Sequence, residues 1–456
     1  KPLCQRVLNT IKQQARNFII KNATDGLRSY LIRGATGTVV LAAIGNILAL
    51  VISVVMARMM GAEEFGIYAY TMSIVNLLFV ISMLGLSQLI IREIAAYRAN
   101  QTWNLMRGLL KRANQATFIA SVVMALGAAI FAFVMIERIG EHAFHTFLIG
   151  LILLPLLVLI HLWATTIRGL GHILLSQVPM VVIRPCLFLI LLGAAYLFRE
   201  DGSSATKAMS MQVIATAVPF VIMLATLWKV LPVETKNTSP AFQTKVWMKS
   251  AWPLFFVSAM LIVNQQTDIL MLGAFKNAKE VGIYRVAQRG AELVSFGLVA
   301  VNMAIGPTIS TLYTKCEMQQ LQRIVTRSAQ AALVFSFPLV FGLVIFGSKL
   351  VPFVYGAEFA SAVKPLAILC VASFLAVSLG SVGLLLTMCG HERDTAKGFA
   401  FAAVINVILN AFMIPMWGAK GAAIATGTSM ISWSVLLALL VYRRIGINAT
   451  AFLRLS

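Results

Sequence analysis

Four charged side chains stand inside otherwise apolar stretches: Arg184, Asp268, Arg289 and Glu292. An ionised group in hydrocarbon is costly, so each needs a partner, a wet cavity or a ligand. A guanidinium can grip a phosphate through two parallel hydrogen bonds, which makes Arg184 a candidate contact for a diphosphate. It equally suits a structural ion pair or a clamp on a carbonyl, because Pro185 beside it removes a helix hydrogen bond. Asp268 precedes, and Arg289 follows, the segment GAFKNAKEVGIY (Gly273–Tyr284) by matched distances, and Glu292 lies one turn beyond Arg289. The spacing predicts a cluster in which Asp268 pairs with Arg289 close to Glu292. Such a cluster either fixes helix packing or couples the movement of H+ or Na+ to a conformational cycle.

The elements that must position these residues follow from composition. Hydrophobic residues make up 59% of 456 and charged residues only 12%, and mean hydropathy is +0.87. A water-soluble domain of this length needs more charged surface. Apolar runs long enough to cross a bilayer as helices recur along the chain. Short alternating segments of the kind that build a β-barrel are not seen. The fold class is therefore all-α: a polytopic membrane protein with spans expected at 37–59, 67–90, 116–136, 144–164, 173–198, 208–228, 250–274, 283–307, 329–347, 363–388, 398–416 and 421–441.

The net charge of +21 does not point to nucleic acid. Lys and Arg fall mainly in alternate gaps between the spans, and the gaps on one side carry well over twice as many as those on the other. This is the pattern of membrane topology and contact with anionic lipid, and it places both termini in the cytoplasm. Residues 1–36 are basic, with Leu3, Val7, Ile11, Ala15 and Phe18 at helical spacing, and read as an amphipathic arm on the inner leaflet.

The segment GAEEFGIY (Gly61–Tyr68) has a relaxed copy in GAFKNAKEVGIY, and Gly171-His172 returns as Gly390-His391 at nearly the same offset. Two parallel six-helix bundles, 37–228 and 250–441, explain both echoes. Residues 229–249 then form a cytoplasmic linker and 442–456 a cytoplasmic tail. Parallel repeats of this kind are a transporter architecture with a substrate path between the halves. The two glycine-rich copies are expected to be external turns whose glutamates keep the tip in water.

Other polar residues suggest less. Asn264, Asn406 and Asn410 interrupt spans and are expected to bond neighbouring helices. His161 stands alone, and Gly390–Asp394 (GHERD) reads as a solvated turn. The five cysteines have no paired spacing, and no phosphate-binding loop, metal motif or nucleophile constellation appears, so neither a cofactor nor an enzyme is expected.

ARMMGAEEFGIYAY (Ala57–Tyr70), TDILMLG (Thr267–Gly273), RGLGH (Arg168–His172), VIRPCLFLILL (Val182–Leu192) and INVILNAFMIPMWGAKGAAIATGTS (Ile405–Ser429) resemble, in order and spacing, the bacterial polysaccharide flippases. These are the Wzx-type group of the MOP exporter superfamily. The resemblance covers residues 34–441. It implies a V-shaped transporter of the bacterial inner membrane that moves a polyprenyl-diphosphate-linked oligosaccharide from the inner to the outer leaflet for surface polysaccharides such as lipopolysaccharide or exopolysaccharide. The alternatives are a MATE-like, ion-coupled exporter of small molecules and a membrane oligosaccharide polymerase or ligase. An acidic cavity would favour the exporter, and a substantial external segment with catalytic groups would favour the enzyme.

Overall fold

Residues 37–197 and 204–452 are described by a computed structural model, except for the side chains of 138 and 139. The basic arm expected over 1–36 lies outside the described residues, as does the end of the tail. Every regular element among the described residues is helical. Eleven helices are long and apolar enough to cross a membrane. The first, Gly37–Ser82, runs 46 residues, about twice what a bilayer core of roughly 30 Å requires. It is broken at Gly61, whose φ of 74° and ψ of 179° only glycine adopts readily. The break divides it into two membrane legs, α1 (37–60) and α2 (62–82), so that twelve spans result.

The remaining spans are α3 (Trp103–Val134), α4 (Glu141–Gly169), α5 (Ile173–Leu197), α6 (Ala205–Val230), α7 (Thr244–Phe275) and α8 (Ala278–Thr314), followed by α9 (Met318–Ile345), α10 (Ala357–Ser378), α11 (Glu392–Trp417) and α12 (Ala419–Ile445). Three irregularities bear on the site. α2 pauses after Ser82 and continues as Leu86–Ala99. α5 contains a π-helical turn over Pro179–Ile183, immediately before Arg184. The span expected at 363–388 is not continuous, since α10 ends at Ser378 and a separate helix covers Val382–Met388.

The two glycine-rich segments meet. A Cβ on Gly66 would collide with the Ala278 carbonyl, and one on Gly282 would collide with the Ala62 carbonyl. The contact is reciprocal, as a pseudo-two-fold relation between repeats requires. Around it a shared core packs Phe65 from α2, Phe188 from α5, Tyr284 from α8 and Phe359 from α10.

The glutamates of these segments do not simply face water. Glu64 accepts the backbone N–H of Ala205 at the start of α6 (2.6 Å). Glu280 accepts that of Ala419 at the start of α12 (2.7 Å). Helix N-termini carry unpaired donors and partial positive charge, which a carboxylate satisfies. A third carboxylate, Glu358, does the same for Ala62 (3.0 Å).

Residues 229–249 lie against α3. Ala241 N–H donates to the Asn104 carbonyl (3.0 Å), Arg107 to the Thr238 carbonyl (2.6 Å), and Arg112 stacks over Phe242 (4.8 Å). Trp247, in the first turn of α7, donates to Tyr97 Oη (2.9 Å).

Candidate functional site

A cavity of about 300 Å³ lies between α1, α2, α5 and α6 on one side and α7 and α8 on the other. Its lining includes three guanidinium groups, Arg184, Arg285 and Arg289, with Tyr68, Gln212 and Gln266 among the neutral polar groups. No carboxylate appears among the lining residues.

The local structure explains how each arginine arrives there. A π turn inserts one extra residue and re-aims the side chains that follow it, and such turns recur at functional sites. That turn ends at Arg184. With the Gln212 amide oriented so that its oxygen faces the guanidinium, it accepts from Arg184 Nε at 3.0 Å and also from Nη2. Arg184 thus enters the cavity held by a neutral amide and keeps its charge uncompensated. Arg285 and Arg289 stand four residues apart on one face of α8. Arg285 Nη1 donates to Gln288 Oε1 (2.7 Å), and Arg289 Nη1 donates to Glu292 Oε2 (2.6 Å).

The expected pairing of Asp268 with Arg289 is not formed. Arg289 pairs with Glu292 instead, and Asp268 makes no ion pair among the described residues. Spacing along the chain leaves the direction of each side chain around its helix undetermined. Gln266 on α7 lines the cavity, and two residues on a helix differ by about 200° in direction. Asp268 therefore faces the interior of the second group of helices.

There Asp268 is 1% exposed and receives four donors. Tyr284 Oη (2.6 Å), Thr426 Oγ1 (2.6 Å), Asn410 Nδ2 (2.7 Å) and Asn406 Nδ2 (3.2 Å) gather from α8, α12 and α11. Asn410 Oδ1 is buried with no partner. All four donors are neutral, so this buried carboxyl is satisfied by hydrogen bonds and not by a counter-charge.

The amides divide. Asn406 and Asn410 serve Asp268, and Asn264 donates to the Phe399 carbonyl on α11 (3.1 Å), while Asn76 lines the cavity. Asp394 of the GHERD segment accepts from Arg444 (3.1 Å) at the surface. Among the described residues no group of three or more His, Cys, Asp or Glu is placed to hold a metal ion.

Sequence reasoning missed Arg285, Gln212, Tyr284 and Thr426. For Arg285 a signal was available: it stands four residues before Arg289 and inside the span expected at 283–307, but its place two residues from the start of that span groups it with the preceding turn. Gln212 and Thr426 carry no such signal, because their partners stand on other helices whose packing the linear order does not specify.

This fold, with its arginine-lined cavity, is similar to that of solved membrane proteins. In an inward-facing multidrug resistance MATE family transporter of the MOP superfamily it recurs with a TM-score of 0.72 at 13% identity, over 88% of this chain and 94% of that one. The lipid II flippase MurJ in an inward closed conformation matches with a TM-score of 0.68 at 14% identity, over 88% and 86%. The polysaccharide biosynthesis protein family matches residues 31–313, more than half of the chain, and the chain belongs to that family. Among curated proteins, the probable low-salt glycan biosynthesis flippase Agl15 of Haloferax volcanii is 27% identical over 251 residues, 54% of this chain. The match spans 51% of that relative, about half its length.

Proposed function

We propose that this protein is a flippase that carries a polyprenyl-diphosphate-linked oligosaccharide from the inner to the outer leaflet of the cytoplasmic membrane, with both termini cytoplasmic. The observation that carries the reading is the cavity lined by Arg184, Arg285 and Arg289 without a lining carboxylate. A diphosphate must cross a low-dielectric slab, and fixed guanidinium groups in a wet cavity offset the lost hydration. Neutral amides and hydroxyls beside them suit sugar hydroxyls. The same three charges oppose the cationic cargo of a MATE-like exporter.

In this reading the protein transports and does not catalyse. The halves, 37–228 and 250–441, rock about the cavity, and the Gly66–Gly282 contact closes one end of the path and must part for release. Asp268 is the coupling residue: binding H+ or Na+ changes the charge of a buried network that ties α7, α8, α11 and α12 together. The arginines then carry the cargo while Asp268 senses the ion, and α8 carries both Arg285 and Arg289 of the cavity and Tyr284 of the Asp268 network.

The test is transfer of a fluorescent polyprenyl-diphosphate oligosaccharide across proteoliposomes containing the protein. Transfer by the native chain and its loss in Arg184→Ala support the reading. Normal transfer by Arg184→Ala, or transport of a cationic dye instead, overturns it.

A further inference from the structure

A second cavity, of about 400 Å³, opens where α3 begins and α6 ends. Arg107, Lys111 and Lys236 stand in its lining, and Leu110, Leu227 and Trp228 supply apolar walls. Arg107 Nη1 donates to the Thr238 carbonyl (2.6 Å). Lys236 Nζ donates to the Trp228 carbonyl (2.6 Å) and lies 5.9 Å from the centre of its ring. Both acceptors are neutral. Among the described residues none of the three cations forms an ion pair.

The level in the membrane is set by the helices. Arg107 and Lys111 lie in the second and third turns of α3, and Trp228 lies in the last turn of α6, with 64% of its surface exposed. Tryptophan at a helix end marks the head-group level. Three uncompensated cations above an apolar cleft at that level complement one kind of molecule: an amphiphile with an anionic head and an acyl chain.

We propose that this cleft binds an anionic phospholipid of the surrounding membrane, with its phosphate among Arg107, Lys111 and Lys236 and an acyl chain along Leu110 and Leu227. The site is separate from the central cavity and does not depend on the cargo assigned there. It has a structural consequence. Arg107 and Lys111 belong to α3, whereas Lys236 belongs to the segment joining α6 to α7, so a bound phosphate clamps that segment onto α3. The segment already rests there through Ala241 and Asn104, and Gly108 lies so close under the Ala241 carbonyl that no side chain fits between them.

Thermal unfolding of the purified protein in neutral detergent tests the proposal, with phosphatidylglycerol, phosphatidylcholine of the same chains, or inorganic phosphate added. A ligand that binds only the folded state raises Tm with concentration. Phosphatidylglycerol is expected to raise Tm by several degrees, saturably, and phosphatidylcholine and inorganic phosphate are expected not to. The variant Arg107→Gln/Lys111→Gln/Lys236→Gln should lose the shift. Lys315→Gln/Arg323→Gln/Arg327→Gln, which removes as many charges elsewhere, should keep it. If the triple variant at the cleft does not fold, Lys111→Gln alone, at an exposed side chain, should require several-fold more phosphatidylglycerol for the same shift. A shift that survives in the cleft variants, or that is lost equally in the control, overturns the site. An equal shift with phosphatidylcholine or inorganic phosphate overturns the assignment to an anionic lipid.

Discussion

Gly66 and Gly282 occupy equivalent places in the two repeats and pack against each other's helices, each beneath a carbonyl, Ala278 for one and Ala62 for the other. A methyl group at either place forces α2 and α8 apart, and overpacking of this kind costs about 1–3 kcal/mol. Gly66→Ala and Gly282→Ala should therefore shift the population by roughly tenfold or more toward a state parted at this end. The readout is labelling of Ser53→Cys, in the cavity lining, by an impermeant thiol reagent added outside in a cysteine-free background. Both alanine variants should label faster. Unchanged rates would mean that the contact does not gate access.

Glu64 and Glu280 each close the N-terminus of a helix in their own repeat, α6 and α12. Loss of a capping carboxylate costs about 0.5–2 kcal/mol. Glu64→Ala and Glu280→Ala should each lower Tm by a few degrees, whereas Glu63→Ala, at an exposed neighbour, should not. Equal Tm values for all three would remove the capping role.

Arg184 is bonded to a neutral amide, so its removal leaves no buried carboxylate unpaired. Arg184→Ala should consequently fold normally and lose transport by about ten- to a hundredfold, since a hydrogen bond to a charged group is worth about 1.5–3 kcal/mol. Arg184→Lys should recover only part of it, because the forked geometry is gone. Arg285→Ala should behave alike. Surface polysaccharide output at matched protein level is the measurement, and full output from both alanine variants would sink the role of these arginines in carrying the diphosphate.

Each carboxylate oxygen of Asp268 accepts from two donors, and Asp268→Asn turns an amide N–H2 toward one of these two pairs. Expected are normal membrane insertion and transport that no longer responds to an imposed Na+ or H+ gradient. Tyr284→Phe, which removes one of the four donors, should weaken the response without abolishing it. A variant that loses abundance but keeps the gradient response per molecule would make Asp268 a packing residue.

The topology is tested by the same labelling chemistry. Glu63→Cys and Lys279→Cys should react with reagent outside intact cells, and Glu392→Cys should react only after permeabilisation. The reverse pattern would invert the orientation and with it the proposed direction of transport.

The all-α membrane class and most span positions were legible because they rest on a local quantity, hydropathy over about twenty residues. Even the break that makes two legs of one 46-residue helix falls at Gly61, inside the first glycine segment. Direction around a helix was not legible. Asp268 and Arg289 flank one turn, yet one turns into a bundle and the other into the cavity, and only the packing of α7 and α8 decides which. Likewise the partners of Arg184 and Asp268 come from other helices, Gln212 from the next one and Thr426 from one 158 residues along the chain. Which buried polar group meets which is settled when helices pack, because each must find a hydrogen bond among neighbours that the linear order does not specify.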